Sequence, residues 1–289
     1  MAGRVDSHCH LWSLGRGDYA WLDPANPDLA PIARDFGPAD LGAQMDVCGV
    51  KAAVLVQAAA TMAETDFMLG LARQTPQVTG VVGWVDLSNP ASVAQIALWA
   101  TNPKFKGLRP MLQDIAASDW ISTQTHPDCI AAMLRADLRF DALVTTRHLP
   151  HLLGFARANP DLQVVIDHAA KPPLAGGMDG TEGASWRQGM RELAEDTGAF
   201  CKLSGLLTEM CKADLPKAAR ILRPIVEDLL TWFGPDRLMW GSDWPVLTLA
   251  GDYAGWAVLS DALLSDLSAS ARAAIYGGTA RSFYGLEAA

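Results

Sequence analysis

Four features are missing from this chain of 289 residues, and each absence removes a class of function. There is no basic cluster: Lys and Arg number 23 against 32 Asp and Glu, a net charge of −9. Nucleic acids and anionic membranes are held by a concentrated positive field, so neither is an expected partner. No C-x-x-C pair occurs among Cys9, Cys48, Cys129, Cys201 and Cys211, and an odd number of cysteines argues against a disulfide framework. A reducing, cytoplasmic setting is expected, with Cys201 and Cys211 as packing residues. No apolar run approaches the roughly 20 residues of a membrane span, and the start, with the charged Arg4 and Asp6, lacks the long apolar run of a signal peptide, so a soluble protein is expected. Finally, no G-x-G-x-x-G follows an early strand, which removes support for a doubly wound dinucleotide fold.

What is present is a regular alternation. Half the residues are hydrophobic, enough for a large core. Eight short, β-branched runs read as buried parallel strands: "RVDSHCH", "AAVLVQA" (52–58), "VTGVVGWVD" (78–86), "FKGLRP" (105–110), "RFDALVT" (139–145), "LQVVIDHA" (162–169), "FCKLSG" (200–205) and "RLMWGSD" (237–243). Amphipathic helix patterns separate them, the longest of which, "LPKAARILRPIVEDLLTWFG", is expected to kink at Pro224. Eight β/α alternations spell a (β/α)8 barrel over residues 1–289. The exception is residues 11–40, rich in Pro, Gly and Asp, which read as a packed lid anchored by Tyr19 and Trp21.

Barrel chemistry collects at the C-terminal ends of the strands. Strand 1 ends in "HCH", where His8 and His10, two apart, share a face and Cys9 takes the other. Strand 6 ends in "IDHA" with His168, strand 8 in "GSDWP" with Asp243, strand 4 at Arg109 and strand 2 at Gln57. Each residue alone has an ordinary structural reading: an incidental His-x-His, a satisfied core histidine, a turn-capping Asp, a surface ion pair. Their convergence on one rim is what favours function. Imidazoles with a carboxylate hold a divalent ion with a position open to water, and Arg109 suits a substrate carboxylate or paired hydroxyls. Trp84 and Trp244 are expected to wall the pocket. His126, His148 and His151 are read as structural, Asp86 and Asp167 as supporting or structural, and Asp18, Asp23 and Asp35 as surface.

The motifs "DSHCHLW", "DYAWL", "ARDFGPADL", "VLVQA", "KGLRP", "VVIDHAAKP" and "WGSDWPV" run in order along almost the whole chain. Together they resemble the amidohydrolase-related sugar-lactone hydrolases, a group that includes fuconolactonases, rhamnonolactonases and 2-pyrone-4,6-dicarboxylate hydrolase. The resemblance implies a distorted (β/α)8 barrel that hydrolyses an aldono- or aldaro-lactone. Asp243 falls on the water-activating base, His8, His10 and His168 on the metal or oxyanion site, and Arg109 on a substrate contact, with Gln57 orienting polar groups. Two departures matter. No strand-end lysine is placed to bridge two metals, Lys106 lying inside strand 4, and strand 7 offers Ser204 where the wider superfamily has a histidine. One zinc-like ion, held by His8, His10, His168 and Asp243, or none, is therefore expected. The alternatives are a lactone isomerase, a metal-dependent decarboxylase, or a barrel that binds a sugar acid without turnover.

Overall fold

The computed structural model describes residues 3–287. Eight parallel strands stand side by side in chain order: β1 (Arg4–Cys9), β2 (Val50–Val56), β3 (Val78–Gly83), β4 (Phe105–Leu108), β5 (Arg139–Ala142), β6 (Val164–Ile166), β7 (Phe200–Leu203) and β8 (Leu238–Trp240). The ring closes just past β8, where Cys9 and Trp244 form a parallel bridge. There His10 N donates to Trp244 O at 2.7 Å and Asp243 N to His8 O at 2.8 Å. Sequential order with closure is a (β/α)8 barrel, and the open-sheet alternative is excluded.

The helices are α1 (Pro38–Cys48), α2 (Met62–Gln74), α3 (Ser92–Trp99), α4 (Trp120–Thr123), α5 (Pro127–Arg135), α6 (Leu149–Ala158), α7 (Thr181–Asp196), α8 (Leu215–Phe233), α9 (Tyr253–Leu263), α10 (Ala269–Ala273) and α11 (Thr279–Tyr284). Their starts follow local chemistry. Asp214 caps α8 by accepting from Lys217 N, and Pro follows at the first turn, where its missing N–H costs nothing. Pro224 does not end α8, which runs on to Phe233 on a buried stripe of Leu222, Ile225, Val226 and Leu229. His126 and His148 act as caps, accepting from Asp128 N and Thr145 N, which agrees with their structural reading.

Two apolar regions hold the barrel. The larger lies between strands and helices and contains Leu55, Val81, Phe140, Trp186 and Trp240. The smaller fills the barrel's lower interior with Val5, Ala52, Val54, Val56, Val82, Val165 and Met239, and α11 plugs it with Phe283 and Tyr284. Each valine, leucine, methionine or phenylalanine among them contributes about 1.5–3 kcal/mol on burial. The segment after β1 is tied down: Trp12 bridges Phe36, Tyr19 Oη donates to Glu64, and Trp21 Nε1 donates to Ala58 O at 2.7 Å. Among the described residues no helix is long and apolar enough to cross a membrane.

Candidate active site

Strand β1 carries both an apolar plug residue and the first imidazoles. Val5 belongs to the lower interior and His8 to the mouth, although three positions separate them. A register slip between Asp6 and Cys9 makes this parity change, re-aiming the strand as bulges near active sites do. Asp6, buried on the outer side, fixes the distortion by accepting from His8 N, Ser242 N, Ser242 Oγ and Tyr253 Oη. Burial pushes the Asp6 carboxyl up, against those donors.

The other site residues sit where the backbone leaves the strands. Beyond Ile166 the chain turns through left-handed residues, with φ of 52° at His168 and positive values on to Lys171; Asp243 has φ 59°. Non-glycine residues rarely occupy this region, and such strain concentrates at functional sites. Gly205 lets β7's end pass His168: a Cβ there would lie 2.5 Å from His168 Nδ1.

Three imidazole nitrogens converge on one carboxylate oxygen. Asp243 Oδ1 is 3.2 Å from His10 Nε2, 3.7 Å from His168 Nε2 and 3.8 Å from His8 Nε2. His10 Nδ1 meets the Val56 carbonyl at 2.7 Å and must donate to it. In the neutral ring, Nε2 therefore turns a lone pair towards the Asp243 carboxylate, an arrangement that calls for a cation between them: a proton or a metal ion. His168 Nδ1 pairs with Ser204 Oγ at 2.9 Å. His8 Nδ1 lies 3.0 Å from Lys202 Nζ and 3.3 Å from Asp167 Oδ1, while its buried Nε2 has no partner.

Beneath these groups is a buried charge layer. Lys202 Nζ stands 2.5 Å from Asp141 and 2.9 Å from Asp167, and Tyr284 Oη donates to Asp141 at 2.7 Å. Arg109 pairs with Asp167 at 3.4 Å and donates to Gln57 O, leaving its buried Nε unpartnered. Burial drives the His8 imidazole well below its usual range, with the nearby Lys202 charge adding to it, and brings His168 down to about 4. Burial alone would raise Asp243 and Asp167. The imidazoles outweigh it at Asp243, and Lys202, His8 and Arg109 outweigh it at Asp167, so both are held low. Asp141 is pushed up to about 6 by burial and by the neighbouring Asp167 charge. At neutral pH the mouth therefore holds an ionised Asp243 with His8 and His168 uncharged.

The pocket over this cluster has a volume of about 220 Å³ and exposes His10, His168, Asp243 and Arg109. His8 lies just below its floor, fully buried. Gln57, Trp84 and Trp244 do not line this pocket. Gln57 is buried and donates to Arg109 O at 2.8 Å, so it braces the arginine. Trp244 follows Asp243 and so turns away, packing on Phe36 at 5.1 Å between centroids. Trp84 lines the adjoining cavity. Asp18, expected at the surface, is half-buried and paired with Arg16, and Cys211 is exposed instead of packed.

Sequence reasoning passed over Lys202, Asp141 and Lys171. A lysine or aspartate inside a β-branched run was the available signal, since a strand covered on both faces has no solvated side for it. Lys171, carried out by the left-handed turn, reaches the pocket wall.

The donor set fits a divalent ion. His8, His10 and Asp243 each offer one ligand atom within 4.8 Å of the others, and so do His8, Asp167 and His168. The lone pair of His10 facing a carboxylate is the specific sign.

Comparison with known proteins places these features. The sequence pattern of the amidohydrolase family matches residues 5–286. An L-fucono-1,5-lactonase of Burkholderia ambifaria is 45% identical over 99% of this chain and 97% of its own. A crystal structure of an amidohydrolase from Burkholderia multivorans with bound HEPES is 37% identical, with a TM-score of 0.91 over 98% of this chain and 99% of that one. A second crystal form of the B. multivorans amidohydrolase, with bound zinc, is 36% identical over the same shares, with a TM-score of 0.87.

Proposed function

The chain belongs to the amidohydrolase family, and on that premise we propose that it is a lactonase that opens the ring of a sugar-acid lactone by water attack on the carbonyl. The observation that carries this reading is the convergence of three imidazole nitrogens on Asp243 at the pocket floor. The substrate class is the aldonolactones, with L-fucono-1,5-lactone, named in the B. ambifaria relative, as the first candidate.

Asp243 is ionised across the neutral range and accepts a proton from water as the water oxygen adds to the lactone carbonyl. The carbonyl oxygen becomes an oxyanion among the imidazoles and Arg109, whose unpartnered Nε is a donor with no internal duty. When the ring C–O bond breaks, the proton on Asp243 passes to the departing alkoxide. The product is the hydroxy acid, with one proton released at neutral pH. A divalent ion held by His8, His10, His168 and Asp243 would supply Lewis-acid polarisation and lower the pKa of bound water.

His8 serves either arrangement. With its Nδ1 proton directed to Asp167, Nε2 is a free ligand; with Nδ1 accepting from Lys202, Nε2–H is a donor to the oxyanion. Lys171 and Arg109 position the sugar acid's polar groups. Trp21, on the anchored segment after β1, covers the pocket edge and restricts water. The free cysteines and acidic surface support a cytoplasmic enzyme whose partner is a small molecule and not nucleic acid.

Indicator-monitored acid release over a panel of aldono- and aldaro-lactones tests the reading, with and without chelator. Acid release from one stereochemical group is expected, and its loss with chelator puts an ion on the imidazoles. A rearranged lactone without acid release would make the protein an isomerase, and carbon dioxide release a decarboxylase. Binding without turnover would leave a sugar-acid receptor.

A further inference from the structure

A second cavity of about 450 Å³ adjoins the imidazole pocket and shares Trp21, Ala58, Met111 and Asp114 with it. It has about twice the pocket's volume. One small lactone ring over Asp243 leaves this space unused. Its far wall is built from Trp84 and Trp120 with Thr61 and Asp18.

The lining is that of a ring-stacking site with a few hydroxyl acceptors. Trp21 is pinned by its N–H bond to Ala58 O, yet keeps 37% of its surface exposed, so its ring stands as the partition between the two spaces. Asp18 accepts from Arg16 and Thr61 through Oδ2 and lines the cavity together with Thr61, Asp86 and Asp114. A hydrocarbon tail would desolvate these carboxylates without giving them a donor, at a cost in free energy. A sugar ring meets both demands, placing C–H faces on the indoles and hydroxyls on the carboxylates.

We propose that this cavity is a subsite for a second sugar ring, glycosidically attached to the lactone at its end away from the carbonyl. The inference rests on the lactonase reading and extends it from single-ring lactones to glycosyl-aldonolactones. The hydrolytic step is unchanged: water adds, the ring ester bond breaks and the glycosidic bond stays intact.

The test compares kcat/KM for a monocyclic aldonolactone with that for disaccharide aldonolactones of differing linkage. One linkage is expected to gain about tenfold or more over the monocyclic lactone. Two variants outside the imidazole pocket isolate the subsite: Trp120→Ala removes a stacking face, and Ala60→Trp fills the cavity from an exposed position that lines it. Each is expected to cut kcat/KM for the favoured disaccharide lactone about tenfold and to leave the monocyclic value within about twofold. No gain from any second ring, or equal losses on both substrates, overturns the subsite. Failure of every lactone would instead strike the lactonase reading. In that event, quenching of tryptophan fluorescence by disaccharide aldonates decides the subsite alone: tighter binding than the monosaccharide aldonate supports it, and equal or absent binding overturns it.

Discussion

The barrel's two ends are built on opposite terms. The lower interior is valine, alanine and methionine, capped by Phe283 and Tyr284 of α11, with nothing for a ligand to reach. The mouth holds three buried imidazoles, a buried carboxylate and an arginine with an unused donor. Backbone strain divides the same way. Of the six non-glycine residues with positive φ among those described, His168, Ala169, Ala170, Lys171 and Asp243 lie at the mouth and only Asp137 at the other end. Packing at one end thus offsets strain and desolvated charge at the other. The two are not insulated, because Tyr284–Asp141–Lys202–His8 is a continuous polar chain from the plug to the site.

The sharpest break in the comparison is a substitution that harms the mouth alone. Asp243→Asn keeps the shape and removes the proton acceptor, and is expected to lower kcat/KM by about 10²- to 10⁴-fold. The urea midpoint should stay close to that of the parent. Unchanged turnover would remove Asp243 from the base's role.

Lys202→Met should damage both ends. It leaves Asp141 and Asp167 facing each other without the ammonium between them, a loss of about 3–5 kcal/mol in unfolding free energy. His8 loses its neighbour at Nδ1, so turnover should fall as well. Adding Asp141→Leu to that variant should recover much of the stability but not the turnover. Recovery of both would mean that Lys202 acts on folding only.

These two predictions also mark what the sequence could and could not disclose. The strand order and the rim residues His8, His10, His168, Asp243 and Arg109 were legible, because β-branched runs announce buried strands and polar residues at their ends announce a mouth. Lys202 and Asp141 were not, since a charged residue in a strand gains meaning only when closure forces it inside. Adjacency misled at Trp244: the residue next to Asp243 points the other way, onto Phe36. At Gln57 the strand-end position was read correctly, yet its amide is taken by the Arg109 carbonyl. The slip in β1 that turns His8 inward has no signature in composition at all.

Acid should weaken the mouth before the plug. His168 titrates at about 4 in the fold against 6.5 unfolded, and His8 is also held low. Between these values the unfolded chain binds more protons, so stability falls as pH drops from 6.5 to 4, by up to about 3 kcal/mol for His168. Asp141 acts oppositely. Its folded value of about 6 exceeds the unfolded 3.8, so its protonation stabilises the fold as pH drops through that range. The lowered imidazoles of His8, His168 and His148 are thus set against the raised carboxyls of Asp141, Asp6, Glu64 and Glu209, and stability falls more steeply below 3.8 as Asp243 and Asp167 titrate. Urea midpoints at pH 7, 5 and 4 measure the slope: a fall means the imidazoles outweigh the raised carboxyls, and a flat or rising profile means they do not.

The smallest effect probes the junction itself. Tyr284→Phe deletes one hydroxyl at the plug, the donor to Asp141, and keeps the ring against Phe283. The expected cost is about 1–2 kcal/mol in unfolding free energy, that of a buried carboxyl losing one of its donors. If the two ends are as separate in action as in composition, kcat/KM stays within about twofold. A tenfold fall would instead show that the proton arrangement around Asp141 and Lys202 is felt at His8. The plug would then be working as part of the site, and the division between a packed end and a chemical end would have to be redrawn one layer lower.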